Sequence, residues 1–556
     1  MQTFTVSTLL AKRLKYYVED IFMLTGYGAM YLNDAIQREG INYYVSRNEA
    51  AAPMMAEAYA KEKGGIGAVC VTAGPGGTNA IPGLAEAYVD SAPILILSGQ
   101  VQKKFTTNNY KNYKIRSFGV AEFSISEAIK KFTKYSATIT DPYKCLYELD
   151  KAIHIAKSGR PGPVWLEIPL DIQSFEIVNK KKIRKFKSVK KKYNNNKITK
   201  LSKYFEKSKN PLFVIGNGIK QSKTKNDFLK LVKKYSIPFF TSRFAHDLFP
   251  FSNKFNLGLL GIKGQPYSKK IIEKTDLLIF LGCRVAPTMY LEKTKQDKKL
   301  KKIIIDIDKQ SLNHPLINFN LKINYDLKDF FKVFSKQNLK NTSYKNWNVF
   351  CQKIKNENEI NLIKNKKDPI DLYRFMFDLN KLSRKNSIFT NDAGSNYYVG
   401  GQVWRFEKKQ TEIASTTNAA MGLSVPLSIG AAVANKNKQI ISVTGDGSVE
   451  LNIQELKTIS HYKFNIKTFV INNGGYASMK NWQDNVFSGN RLDTEAKTGV
   501  GTLNFKKIAE AFDLEFILID KTKDIKKKIK QVISNKKPYL VEVVTNPNQR
   551  LLGTEP

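Results

Sequence analysis

The sequence predicts an α/β protein of three consecutive domains with parallel sheets, and three observations carry that expectation. Short β-branched runs such as "GAVCVTAG", "PILILSG", "DLLIFLGCRV" and "KKIIIDIDK" have the length and composition of buried strands. Helical patterns separate these runs at the spacing of βαβ crossovers, which return each strand parallel to the one before. The chain has 556 residues, room for about three or four domains of ordinary size.

In chain order, the opening "MQTFTVSTLLAKRLKYYVEDIF" reads as an amphipathic helix, because it lacks the continuous apolar core and small-residue cleavage site of a signal peptide. The first domain is expected over residues 1–178. Within it, "YYVSRNEAAAPMMAEAYAKEKG" places Glu49 after a short strand and at the start of an alanine-rich helix, where an acid also serves as a helix N-terminal charge. The glycines Gly74, Gly76 and Gly77 resemble a phosphate loop but lack the following Lys-Ser/Thr, so nucleoside triphosphate binding is rejected. The basic run "NKKKIRKFKSVKKKYNNNK", Asn179 to Lys197, reads as a solvated linker, with a nucleic-acid patch as the minority alternative. A middle domain follows over 197–345, then the polar stretch "CQKIKNENEINLIKNKKDP", then a third domain over 366–556.

The third domain contains "GDGSVELNIQELKTISHYKFNIKTFVINN", which starts at Gly445. "QIISVT" ahead of it and "IKTFVI" within it read as strands. Ile453, Leu456, Ile459 and Tyr462 form a helical stripe between them. A βαβ crossover of this length brings Asp446 and Asn473 to the carboxyl ends of neighbouring parallel strands, the edge at which open α/β sheets bind ligands. A carboxylate and a carboxamide there supply oxygen ligands for a hard cation such as Mg²⁺, which fills its shell with water and substrate phosphate. Either motif alone reads as an ordinary Gly/Asp/Asn turn; the pairing points to a metal holding a diphosphate.

Composition excludes several classes. Hydrophobics at 42% and aromatics at 11% rule out a mostly disordered chain, and no apolar run is long enough to span a bilayer. Cys70, Cys145, Cys283 and Cys351 are scattered without CxxC spacing, the usage of free thiols in a reducing compartment, so a cytoplasmic location is expected. The four histidines form no ligand or triad pattern. A net charge of +41 raises nucleic-acid binding. The excess is lysine spread through a chain rich in Asn and Ile, without a recognition module, so no specific nucleic-acid partner is expected.

Several motifs together resemble a known family. "RNEAAA", "TAGPGGTNAIPGLAEAYVDSAPILILSGQV", "SGRPGPVWLEIPLDIQ", "TNDAGSN", "AAMGLSVPLSIGA" and "GDGSVELNIQEL…NN" resemble the thiamine diphosphate enzymes of the acetolactate synthase large-subunit type, in the right order over nearly the whole chain. The resemblance implies a pyrimidine-binding, a central and a diphosphate-binding domain. It also implies a homodimer or tetramer whose active sites form between the first domain of one subunit and the third of another.

Residue by residue, it implies that Glu49 hydrogen-bonds the aminopyrimidine and drives it to the imino tautomer, whose nitrogen removes the thiazolium proton. Met421 wedges the cofactor into a bent form, and the Ala419 carbonyl accepts from its amino group. Gly394, Ser395, Asn396, Gly447 and Ser448 hold the diphosphate, while Asp446, Asn473 and the Gly475 carbonyl ligate Mg²⁺. The implied activity is decarboxylation of a 2-oxo acid, pyruvate first, with acyl transfer to a second carbonyl.

The sequence also departs from that family. Asn48 stands where acetolactate synthases usually carry histidine. Val120 and Ala121 replace a Phe-Gln pair that positions intermediates, whereas Glu122 and Lys134 are retained, and Trp482 matches a tryptophan that favours a larger 2-oxo acid acceptor. Val120, Ala121, Lys134 and Trp482 are therefore the substrate candidates. "GLLGIKGQPYS" resembles a flavin-contacting loop, but "GCRVAPTMY" lacks the acidic pair and second arginine that usually follow, which leaves flavin adenine dinucleotide (FAD) undecided.

The sequence ends at "NQRLLGTEP", where acetolactate synthases carry a further tail; a more open pocket and an incomplete chain both fit. The readings left open are a carboligase acting on another acceptor, such as a keto sugar, a simple decarboxylase, and a catalytically silent relative. A small regulatory subunit also stays open.

Overall fold

Strand-forming runs and small-residue helices alternate through the computed structural model, which describes residues 4–179, 182–187, 193, 195–290, 299–337, 343–359, 368–407, 409–415 and 417–552. The linker expected at Asn179–Lys197 and the polar stretch before the third domain each lie partly outside the described residues.

The first domain holds strands β1 (Phe4–Thr5), β2 (Asp20–Met23), β3 (Asn42–Val45), β4 (Gly67–Val71), β5 (Ile94–Gln100), β6 (Tyr135–Thr138), β7 (Val164–Pro169) and β8 (Glu176–Ile177). Six of them form a parallel sheet in the order β3-β2-β4-β5-β7-β6, while β1 and β8 pair antiparallel beside it. The middle domain holds β9 (Pro211–Ile215), β10 (Phe239–Thr241), β11 (Asn256–Leu259), β12 (Leu277–Leu281), β13 (Lys301–Asp306) and β14 (Leu321–Asn324), parallel in the order β11-β10-β9-β12-β13-β14. The third holds β15 (Ile388–Asn391), β16 (Thr411–Ala414), β17 (Ile440–Gly445), β18 (Ile466–Asn472), β19 (Glu515–Ile519) and β20 (Tyr539–Val544), parallel in the order β16-β15-β17-β18-β20-β19. The expected three-part α/β architecture is therefore present. Counted within each domain, the outer two share the order 2-1-3-4-6-5, and the middle one runs 3-2-1-4-5-6.

The first and third domains share one hydrophobic core. The helices Ala51–Lys63 and Ser424–Ala434 are buried along most of their length, a composition that suits a helix covered on all sides. Their small residues allow close approach: a Cβ on Gly430 would stand 2.0 Å from the Met55 carbonyl oxygen. The middle domain has its own core, joined by Trp347 and Cys351 of the helix Lys345–Glu357, past the residue at which the sequence placed the end of that domain. That helix shows a mostly polar surface, which hides its narrow buried stripe in sequence. Among the described residues, no helix is long and apolar enough to cross a membrane.

Candidate active site

The crossover read from the sequence is present, with β17 and β18 as parallel neighbours paired from Ile440↔Ile466 to Gly445↔Ile471. Asp446 begins a short helical turn, Asp446–Val449, at the end of β17. Its Oδ1 accepts from the Gly447 amide at 3.0 Å; its Oδ2 accepts from the amides of Asn473 and Gly475 at 3.1 and 2.9 Å. Burial pushes the Asp446 carboxyl above its ordinary pKa, and the surrounding backbone amides oppose that shift. Gly474 and Gly475 take φ of 72° and 115°, a left-handed backbone that lets the turn wrap the carboxylate.

Asn473 Nδ2 donates to Ser395 Oγ at 3.3 Å, and its buried Oδ1 has no hydrogen-bond partner among the described residues. An orphaned, buried carboxamide oxygen beside a buried carboxylate is what a hard cation would satisfy. Among the described residues no cluster of three or more His, Cys, Asp or Glu could hold a metal. The oxygens gathered here are those of one carboxylate and one carboxamide, and the Gly475 carbonyl beside them accepts from the Ala477 amide at 3.1 Å.

Around this turn the structure gathers most of the other predicted cofactor residues. Gly394, with φ of 105°, precedes the helix Ser395–Val403. The Asn396 side chain turns inward and donates to Asn391 Oδ1 at 2.7 Å and Asp392 Oδ1 at 3.2 Å. Ser448 Oγ accepts from the Gly422 amide at 2.8 Å and donates to Asp392 Oδ2 at 2.9 Å, which ties the Met421 loop to the Asp446 turn. Ala419 in that loop has φ of 52°, a costly conformation for a residue with a Cβ, and such strain concentrates at functional loops. Met421 beside it is half-buried.

Two residues here were assigned no role from sequence. Asp392, fully buried, also accepts from Thr444 Oγ1 at 2.8 Å, and burial pushes its carboxyl up to about 6. It lies within the quoted "TNDAGSN" motif, which was its only signal. Lys480 is 3% exposed and donates to the Asn473 carbonyl at 3.1 Å, and burial lowers its pKa. A lone lysine in an ordinary helix gives no such signal in sequence.

Glu49 lies between β3 and the helix Ala51–Lys63, and its Oε2 accepts from Asn79 Nδ2 at 3.1 Å. No hydrogen bond among the described residues joins it to the Asp446 group of the same chain. Asn48 Oδ1 accepts from the Ala50 amide at 2.8 Å, so this side chain shapes the turn into the helix.

The substrate candidates are dispersed. Val120 is 92% exposed and Trp482 is 41% exposed, while Ala121 takes φ of 58°. The Ala121 carbonyl leaves room only for glycine at position 74, where a Cβ would stand 2.5 Å from that oxygen. Glu122 holds the same loop by accepting from the Thr107 amide at 3.1 Å and hydroxyl at 2.9 Å. Lys134 caps the end of the helix Cys145–Lys157, donating to the carbonyls of Ile155 and Ser158.

A cavity of about 660 Å³ lies past the carboxyl ends of β9 and β12 of the middle domain, with Asp90 and Arg160 of the first domain and Tyr397 of the third in its wall. There the strand order reverses, the position at which doubly wound sheets bind dinucleotides. Gly218 and Gly282 bring two backbone turns together: a Cβ on Gly282 would stand 2.7 Å from the Gly218 Cα. Arg160 and Arg284 line the cavity with Asp306, whose carboxyl burial pushes up to about 6.

Three family models match consecutive parts of the chain. The thiamine pyrophosphate enzyme N-terminal TPP binding domain matches residues 4–117, the central domain 198–333, and the C-terminal TPP binding domain 392–543. The chain belongs to the thiamine pyrophosphate enzymes. Among similar proteins is the acetolactate synthase large subunit of Lactococcus lactis, 28% identical over 97% of this chain and 92% of that one. The acetolactate synthase large subunit of Cyanidium caldarium is 27% identical over 96% and 91%. The probable acetolactate synthase large subunit of Methanocaldococcus jannaschii is 28% identical over 96% and 90%. As a thiamine pyrophosphate enzyme, the chain keeps its Asp446 turn inside the C-terminal match and Glu49 inside the N-terminal one.

Proposed function

We propose that the chain is an acetolactate synthase-like carboligase that binds thiamine diphosphate through Mg²⁺, decarboxylates a 2-oxo acid, pyruvate first, and passes the acyl unit to a second carbonyl compound. The observation that carries this reading is the orphaned Asn473 Oδ1 beside the buried Asp446 carboxylate. Asp446, Asn473 and the Gly475 carbonyl hold the cation. Gly394, Ser395, Asn396, Gly447 and Ser448, where two helical segments start, would hold the diphosphate, Gly447 while its amide stays on the Asp446 carboxylate. Bound there, thiamine diphosphate would supply the nucleophilic carbon and the electron sink that decarboxylation of a 2-oxo acid requires.

The chain's own residues orient and activate. Glu49 shares a proton with a pyrimidine nitrogen from a site only 8% exposed, with one of its oxygens fixed by Asn79. Ala419, in the left-handed region, would offer its carbonyl to the cofactor's amino group, and Met421 would pack against the cofactor. Catalytic pairs form between two subunits, each lending Glu49 to its neighbour's cofactor.

A second reading, transfer to an acceptor such as a keto sugar, is favoured by Val120 and Ala121, which offer no amide donor where a polar acceptor would be oriented. The same proposal places a nucleotide cofactor, FAD, in the middle-domain cavity, with Arg160 and Arg284 facing its anionic part. The relatives' name, large subunit, supports a small regulatory partner. Four buried free thiols support a cytoplasmic location.

The test is mass-spectrometric product analysis after the chain is incubated with Mg²⁺, thiamine diphosphate, pyruvate, 2-oxobutyrate and a panel of acceptors. Acetolactate or an acylated acceptor is expected. No carbon dioxide release from any 2-oxo acid would overturn the reading.

A further inference from the structure

We infer that Glu455 is a positioning residue for Glu49, setting that carboxyl's place through the backbone of the loop before it; the inference rests on the thiamine reading above. Glu455 belongs to the third domain, nine residues after Asp446, and its side chain is fully buried. Its Oε1 accepts from two consecutive amides of the first domain, Arg47 at 2.8 Å and Asn48 at 3.1 Å. Its Oε2 accepts from Thr458 Oγ1 at 2.8 Å. Both oxygens are thus engaged, and the next residue along the gripped backbone is Glu49.

A second contact from the same segment acts on the same loop. The Tyr462 hydroxyl accepts from the Val45 amide at 3.0 Å, and its ring packs 5.2 Å from that of Tyr44. Amides 45, 47 and 48 are therefore held by the third domain, while the Ser46 amide donates to the Met23 carbonyl at 3.1 Å and the Ala50 amide to Asn48 Oδ1. The loop has little freedom of its own, and its position follows the segment that grips it.

That segment is nearly continuous helix from Asp446 to His461. Nine residues of mixed α and 3₁₀ geometry span roughly 15 Å, which separates the candidate metal ligand from the loop it steers. One end holds the candidate cation and diphosphate; the other fixes Glu49. A charged acceptor shared by two amides is stronger than a neutral one, and its removal leaves two donors unpaired. Small displacements of a group that must meet a ring nitrogen cost rate more than binding.

The test compares wild type with Glu455→Gln, Glu455→Ala and Glu49→Gln. It measures thiamine diphosphate affinity by calorimetry, C2-proton exchange of the bound cofactor by quenched-flow NMR, and amide exchange at Arg47 and Asn48 without cofactor. Glu455→Gln keeps one neutral acceptor and should slow C2 exchange about tenfold, and Glu455→Ala about a hundredfold, with affinity changed less than about threefold. Amide exchange at Arg47 and Asn48 should rise in both variants. Wild-type C2 exchange in a folded Glu455→Ala protein would overturn the inference. So would a loss of affinity as large as the loss of rate. If the Ala variant does not fold, the same comparison in Glu455→Gln decides. A wild type that bound no thiamine diphosphate would overturn the functional reading and this inference together, whereas unchanged exchange in the variants would overturn this inference alone.

Discussion

The outer domains and the middle domain are built from the same strand-and-helix units, yet they present different chemistry at their sheet edges. In the outer pair, strands in the order 2-1-3-4-6-5 end in buried acids and an amide: Glu49 after β3, Asp392 after β15, Asp446 after β17 and Asn473 after β18. At the middle domain, whose strand order is 3-2-1-4-5-6, the crevice past β9 and β12 offers glycine backbone and Arg284, and the first domain adds Arg160 to its wall. The first kind of edge suits a cation and a nitrogen heterocycle; the second suits an anionic dinucleotide. The side chains that each edge presents, not the strand-and-helix unit they share, set this difference.

The sharpest way to break this contrast is to damage one edge and watch the other. Asp446→Ala should weaken Mg²⁺-dependent thiamine diphosphate binding at least about a hundredfold by calorimetry, or roughly 2.7 kcal/mol, and leave nucleotide binding in the middle domain unchanged. Equal losses at both sites would show that the domains do not act separately. Glu49→Gln should lower kcat about a hundredfold or more while cofactor affinity stays within a few fold, because a carboxamide cannot share the proton. Steady-state kinetics beside calorimetry gives that split.

The middle edge is tested by Gly282→Ala. At φ of 52° and with Gly218 so close, an added methyl should cost about 1–3 kcal/mol locally. A nucleotide cofactor should be retained less well after gel filtration, with C2 exchange of thiamine diphosphate unchanged.

The smallest effect concerns the shared core. Glu57 is fully buried beside Lys61, Asp90 and Glu86, and burial pushes Glu57 up to about 7 and Glu86 to about 8. Because these folded-state values exceed the ordinary carboxylate range, the folded protein binds more protons at these two sites, so their contribution to stability is full below the ordinary carboxylate pKa and is lost as pH rises through 7 and 8. Glu57→Gln should flatten the decline of Tm from pH 6 to 8 by about 2 °C, as read by scanning calorimetry. A decline as steep as that of wild type would remove Glu57 from the explanation.

What the sequence made legible follows from what leaves a local trace. The β17–helix–β18 unit was readable because β-branched runs flank a helical stripe, and this unit alone sets the separation of Asp446 and Asn473. The alanine-rich helix after Glu49 was readable in composition, but its burial against Ser424–Ala434 depends on two segments far apart in sequence. Lys134 and Asn48 were placed by family position, yet their hydrogen bonds in this chain are a helix end and a turn, set by local backbone geometry that motif matching ignores. Glu455 stood inside a quoted motif without a role, because its partners are backbone amides some four hundred positions earlier in the chain. Backbone partners leave no mark in sequence.

The most direct test of the central claim, that the third domain of one chain holds the cofactor and Glu49 of another activates it, is complementation between two inactive chains. Glu49→Gln and Asp446→Ala are co-expressed, the assemblies purified, and carbon dioxide release from pyruvate measured. Half of random dimers are mixed and each carries one intact site, so about a quarter of wild-type activity is expected. Activity no greater than the sum of the two parents would contradict the account.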